Sequence, residues 1–90
     1  MTRSKLHEAS ELLADAADEA VDSDVSERLR GLAEKVESLA DSDHGPDHGT
    51  LARIQTSLDE IQVDVSDDVA ATIEQALNEL RDYRETLEGV

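Results

Sequence analysis

The chain contains no cysteine, no phenylalanine and no tryptophan, and Tyr83 is its only aromatic residue. Without thiols there can be neither disulfides nor thiolate metal ligands. Without large rings the core must be built from Leu, Ile, Val and Ala, and such a core is thin. Pro46 is the only proline, and lysine is confined to Lys5 and Lys35. No apolar run approaches the ~18 residues that a membrane-spanning helix needs. The opening MTRSKLHEASELL has early basic residues but no apolar stretch of the kind that defines a secretory signal. The expectation is a soluble, cytoplasmic protein that makes no membrane contact.

What the chain has in excess is negative charge: 23 acidic residues against 8 basic ones, for a net charge of −15. Such a surface repels nucleic acid and anionic lipid, so neither is expected as a partner. It also repels itself, which opposes compaction in dilute buffer. At about 1 M salt the Debye length falls to roughly 3 Å and most of that repulsion is screened. A uniformly acidic, lysine-poor chain that is lean in large hydrophobes therefore suits a cytoplasm of molar salt. The same composition is also a signature of disorder. Periodicity separates the two.

Four segments place apolar residues three and four apart, on one face of a 3.6-residue helix. They are Leu6, Ala9, Leu13, Ala16 and Ala20; Val25, Leu29, Leu32, Val36 and Leu39; Leu51, Ile54, Leu58, Ile61 and Val65; and Val69, Ile73, Ala76, Leu80, Tyr83 and Leu87. An acidic coil has no reason to carry this rhythm. The spacing predicts helices over 4–21, 25–40, 47–63 and 67–88 in one domain of residues 1–90. Ser66 reads as the N-cap of the fourth helix, with Asp67 and Asp68 favourable beside the helix dipole. Ser23 or Asp24 can cap the second, with Glu27 as a capping-box partner. Gly89 can take a left-handed position after the last turn. Gly31 is expected to let the first helix pack closely against the second. DVSERL from Asp24 and DVSDDV from Asp64 stand forty positions apart and hint at two repeated helical hairpins.

No single stripe is stable alone, so the four are expected to share one axis. The predicted fold is all-α, an antiparallel four-helix bundle of two helical hairpins. Its core is completed either within one chain or by dimerisation. At this size only roughly 60 to 65% of the unfolded surface is buried, and stability of about 5 to 13 kcal/mol is expected.

Candidate chemistry concentrates in DSDHGPDHG, Asp41 to Gly49. It fails as a calcium loop, because Pro46 stands where an EF-hand needs glycine and Ala52 where it needs a bidentate carboxylate. His44 and His48 are four apart, with Asp43 and Asp47 beside them, and borderline metals such as Zn or Ni accept this donor set. The competing reading is a solvated connector in which Pro46 starts the third helix. HEASE at His7 departs from the HExxH zinc pattern, since Glu11 stands at the second histidine position. Glu8, Glu11, Asp15, Asp18 and Asp22 form a carboxylate stripe, read as hydrated surface rather than an ion site. There is no GxSxG elbow, no phosphate-binding glycine loop and no ExxH repeat of the di-iron bundles. The chain is not expected to be an enzyme, and no cofactor is implied.

Tyr83 lies on an apolar stripe near a helix end. Its core reading is packing; its functional reading is a partner contact flanked by Arg81 and Arg84. Arg81 with Glu85, and Arg84 with Glu88, are i,i+4 pairs that can relieve local negative charge.

GPDHGTLARI (Gly45 to Ile54) and YRETLEGV (Tyr83 to Val90) resemble a family of small, acidic, uncharacterised proteins from haloarchaea, and the likeness runs over most of the chain. The resemblance implies a salt-adapted cytoplasmic protein and carries over no activity or catalytic residue. The expected role is a non-catalytic helical interaction or structural module, with a second copy or another protein as partner. The alternatives are a metal-binding protein using His44 and His48, and an acidic mimic of nucleic acid.

Overall fold

A computed structural model describes residues 4–41 and 48–88, which form four helices and no strand. They are α1 (Ser4–Glu19), α2 (Ser23–Ala40), α3 (His48–Gln62) and α4 (Asp67–Glu88). The apolar rhythm explains each of them. Leu6, Ala9, Leu13 and Ala16 of α1 are buried, as are Leu51, Ile54, Leu58 and Ile61 of α3 and Val69, Ile73, Ala76 and Leu80 of α4. On α2 the buried set is Leu29, Ala33, Val36 and Ala40, with Val25, Leu32 and Leu39 only partly covered. These side chains form one cluster fed by all four helices, so the stripes cover one another within a single chain. Each large aliphatic side chain withdrawn from water contributes about 1.5 to 3 kcal/mol toward the conformational entropy it must offset.

Helix α1 packs against both α2 and α4, and α4 in turn packs against α3. Helix α1 is rich in small buried residues: Ala9, Ser10, Ala16 and Ala17. Small side chains let two neighbours approach one backbone, whereas α3 fills its side with Leu and Ile. The pairings along the seams give the helices' relative placement. Lys5 Nζ lies 3.6 Å from Asp82 of α4, while the hydroxyl of Thr72, near the start of α4, donates to Glu19 at 2.9 Å. Ser26 Oγ donates to the Ala17 carbonyl at 2.9 Å, and His7 Nε2 lies 3.5 Å from Asp41. Gln62 donates to the Ala70 carbonyl, whereas Arg84 donates to Gln55 farther back along α3. The assembly measures 39 × 20 × 19 Å, close to the roughly 33 Å that the 22-residue α4 spans alone.

Several sequence expectations are revised. The cap of α2 is Asp22, not Ser23 or Asp24: its carboxylate accepts from the amides of Asp24 at 2.8 Å and Val25 at 3.3 Å. Asp22 has the extended backbone of a cap residue, so α2 starts upstream at Ser23 and Glu27 falls outside any capping box. Ser66 does cap α4, accepting from Val69 N at 3.4 Å. Aligning the two caps sets α2 and α4 in register forty-four positions apart, with Val25 matching Val69 and Val36 matching Leu80. The DVS echo at forty is therefore not a structural repeat. Gly31 faces open space, with nothing within 4 Å of an added Cβ, so it does not mediate close packing. Arg81 turns back to Glu74 and Asn78, both at 3.1 Å, rather than forward to Glu85.

Candidate functional site

Three surface features combine charge with shape. The first is a groove of about 460 Å³ between α1 and α4. Glu8, Glu11 and Asp15 enter it from α1, and Asn78 and Glu79 from α4. Spacings of three and four put the α1 carboxylates on one face. Glu79 Oε2 is buried without a hydrogen-bond partner. The Glu8 carboxylate, which can share a hydrogen bond with Glu79 only when one of them is protonated, pushes the Glu79 carboxyl above the usual glutamate value. Burial and the negative charge of Glu8 push the same way, Lys5 pulls against them more weakly, and Asp82 adds the smallest upward push. This pair can hold a proton between two helices.

The second feature ties α3 to α4. Gln62 Nε2 donates to Glu74 Oε1 at 3.0 Å, and Arg81 donates to Glu74 Oε2 at 3.1 Å. The Gln62 hydrogen bond first, and the Arg81 hydrogen bond and charge after it, hold the Glu74 carboxyl below its usual value against a small opposing effect of burial. Tyr83 beside this region is only 4% exposed and belongs to the core.

The third feature is the end of the bundle where the α1–α2 and α3–α4 connectors meet. A groove of about 170 Å³ is lined there by Val21 and Val25 from one side and by Val65 and Val69 from the other, with Asp22 and Asp64 at its edge. Val21 is fully exposed and Val63 is 81% exposed. The remaining large aliphatic side chains described on the helices are buried or partly covered.

Asp43, His44 and Asp47 lie outside the described residues, as do Pro46 and Gly89, and His48 is the first residue of α3. Among the described residues no three His, Cys, Asp or Glu side chains are grouped to hold a metal ion. The α1 carboxylate stripe divides into separate roles. Glu8, Glu11 and Asp15 line the α1–α4 groove, Asp18 pairs with Arg30 of α2, and Asp22 caps α2. Sequence reasoning missed Glu79, because its partner Glu8 is seventy-one positions away and only packing brings them together. It also missed Val21 and Val63. Their signal was present: both are branched apolar residues that fall off every stripe.

No helix among the described residues is long and apolar enough to cross a membrane. In comparisons with known proteins, the profile of a family of unknown function matches residues 1–86. No curated protein and no solved structure matches.

Proposed function

The chain belongs to that family of unknown function, DUF7553, and we propose that it is a small non-catalytic interaction module, an antiparallel helical bundle adapted to a cytoplasm of molar salt. One observation carries this reading. The four apolar stripes are consumed by one another inside one chain, and the surface they leave is carboxylate-rich, with shallow grooves and two exposed valines at one end. The seam pairings, Lys5 with Asp82 and Glu19 with Thr72, favour the antiparallel arrangement. Of the two partner classes, a second copy and a different protein, the second is favoured. Among the described residues no stripe is left over to complete a dimer core, and two chains of net charge −15 repel each other.

The test is affinity purification with the tagged full chain from extract held at 2 M KCl, alongside light scattering of the isolated protein. The expected results are a recurrent retained protein and a monomer of 9.8 kDa across the concentration range. An empty eluate at every salt concentration refutes the interaction role, and a concentration-dependent dimer refutes the choice of partner.

A further inference from the structure

The two exposed valines share a location. Val21 lies on the α1–α2 connector and lines the end groove with Val25, Val65 and Val69, and Val63, just after α3, directly precedes Asp64 at the groove's edge. An isolated exposed valine needs no explanation, but Val21 continues an apolar groove and Val63 stands one residue from its edge, so this end carries the exposed apolar surface. In a chain this short of large hydrophobes, leaving them in water forgoes burial that the core can use. Asp22 and Asp64 stand at the groove's edge, and Asp24, Asp67 and Asp68 follow within four residues along the chain, all exposed. No lysine or arginine occurs from Glu19 to Glu27 or from Glu60 to Asn78, so the rim is locally uncompensated.

We propose that this end docks a cationic segment of another protein, which inserts one branched aliphatic side chain between the valines while its arginines or lysines face the aspartate rim. The proposal rests on the interaction-module reading and gives that module a place and a partner chemistry. Charge complementarity selects the occupant. A second copy apposing the same end would bring like aspartates together, and anionic lipid or nucleic acid meets the same repulsion. Beyond roughly 3 Å these charges are screened in molar salt, so steering is lost there and close contacts plus the apolar anchor supply the affinity. Binding should therefore weaken as KCl rises and yet persist.

The probe is a blocked octapeptide with a central Leu-Val flanked on each side by arginines, titrated into the ¹⁵N-labelled full chain at 0.5 and 2 M KCl. Two controls replace the aliphatic pair by glycines or the arginines by glutamates. Saturable shifts confined to amides of 20–25 and 63–69 are expected, with each control peptide at least about tenfold weaker. The Val21→Ser/Val63→Ser variant should bind about tenfold more weakly with an unchanged melting temperature, because both side chains are already in water. Absence of saturable shifts overturns the proposal. Shifts in the α1–α4 groove instead overturn it while leaving an interaction module, and concentration-dependent shifts of the same amides without peptide make the occupant a second copy. In the affinity purification, a partner retained equally by the wild type and this variant sinks the docking site alone, whereas an empty eluate sinks the module.

Discussion

Glu79 of α4 faces Glu8 of α1 across the helix seam, and one Glu79 oxygen, Oε2, is buried with no hydrogen-bond partner. Because the folded chain raises the Glu79 pKa above its unfolded value, the folded state binds the proton more tightly. Stability is then highest below the unfolded value, near 4.5, and this contribution is lost as pH rises through the raised folded value. Glu79→Gln keeps the shape, supplies a donor for Glu8 and removes the titration. Thermal melts from pH 4.5 to 7 should place the variant above wild type at pH 7 by a few tenths of a kcal/mol, the scale of neighbouring like charges on helices. The difference should shrink toward pH 4.5. A difference constant with pH would show that the carboxyl pair is not coupled. Glu74 titrates in the opposite sense, its lowered pKa giving stability that is lost as pH falls through the folded value, so wild type alone does not isolate Glu79.

Asp22 carries the start of α2, since its carboxylate takes two amides that would otherwise be orphaned. Asp22→Ala should cost about 1 kcal/mol, within the usual range for a lost N-cap. Ser23→Ala, one residue on and inside the helix, should stay within about 0.5 kcal/mol of wild type. Urea titrations of both variants at fixed KCl decide the matter, and an equal loss in the two would displace the cap from Asp22.

Gly31 is exposed in the interior of α2, and an added methyl group meets nothing within 4 Å. Gly31→Ala should therefore stabilise the protein by about 0.5 to 1 kcal/mol through helix propensity and a less flexible unfolded chain. For a domain of this size that is a rise of roughly 2 to 8 °C in melting temperature. A fall in melting temperature would mean that the methyl meets an obstruction.

The fold was legible where one signal dominated. Leu6, Leu13, Leu51, Leu58, Ile73 and Leu80 announce their helices by spacing alone, and all are buried. The cap of α2 was missed because Asp22, Ser23 and Asp24 are adjacent good cap residues, and only the backbone turn decides among them. Arg81 was assigned to Glu85 by spacing, but α3 presents Gln62 to Glu74 and makes that carboxylate the fixed partner. The Glu8–Glu79 pair and the meeting of the connectors were illegible for a deeper reason. Both depend on which helix lies beside which, and periodicity names a helix's inner face without naming its neighbour.

Ala16 is fully buried on α1, the helix packed against both α2 and α4. A larger side chain there, fully withdrawn from solvent between two neighbouring helices, is expected to push a neighbour aside. Ala16→Leu should destabilise by about 1 to 3 kcal/mol despite adding apolar surface. Leu58→Ala, which leaves a cavity on α3, should cost about 2 to 5 kcal/mol. If Ala16→Leu instead raised the denaturation midpoint, the α1 seams would be loosely packed.

Salt dependence weighs the surface as a whole. The ion pairs described, Lys5–Asp82, Arg30–Asp18 and Arg81–Glu74, lie on partly exposed side chains, and each such pair contributes at most about 1 kcal/mol. Against them stands the mutual repulsion of a chain with net charge −15. Salt screens both, but repulsion acts among many more pairs, so screening should favour the folded state. The melting temperature should rise with KCl, most steeply between 0.1 and 1 M as the Debye length shrinks from about 10 to 3 Å, and flatten beyond. Glu11→Gln/Asp15→Asn, which removes two charges from the α1–α4 groove, should raise the melting temperature in 0.1 M KCl by several degrees and leave it nearly unchanged at 2 M. A wild-type melting temperature that is flat or falls with KCl would mean that the attractive pairs outweigh the repulsion, and adaptation to molar salt would lose its physical basis.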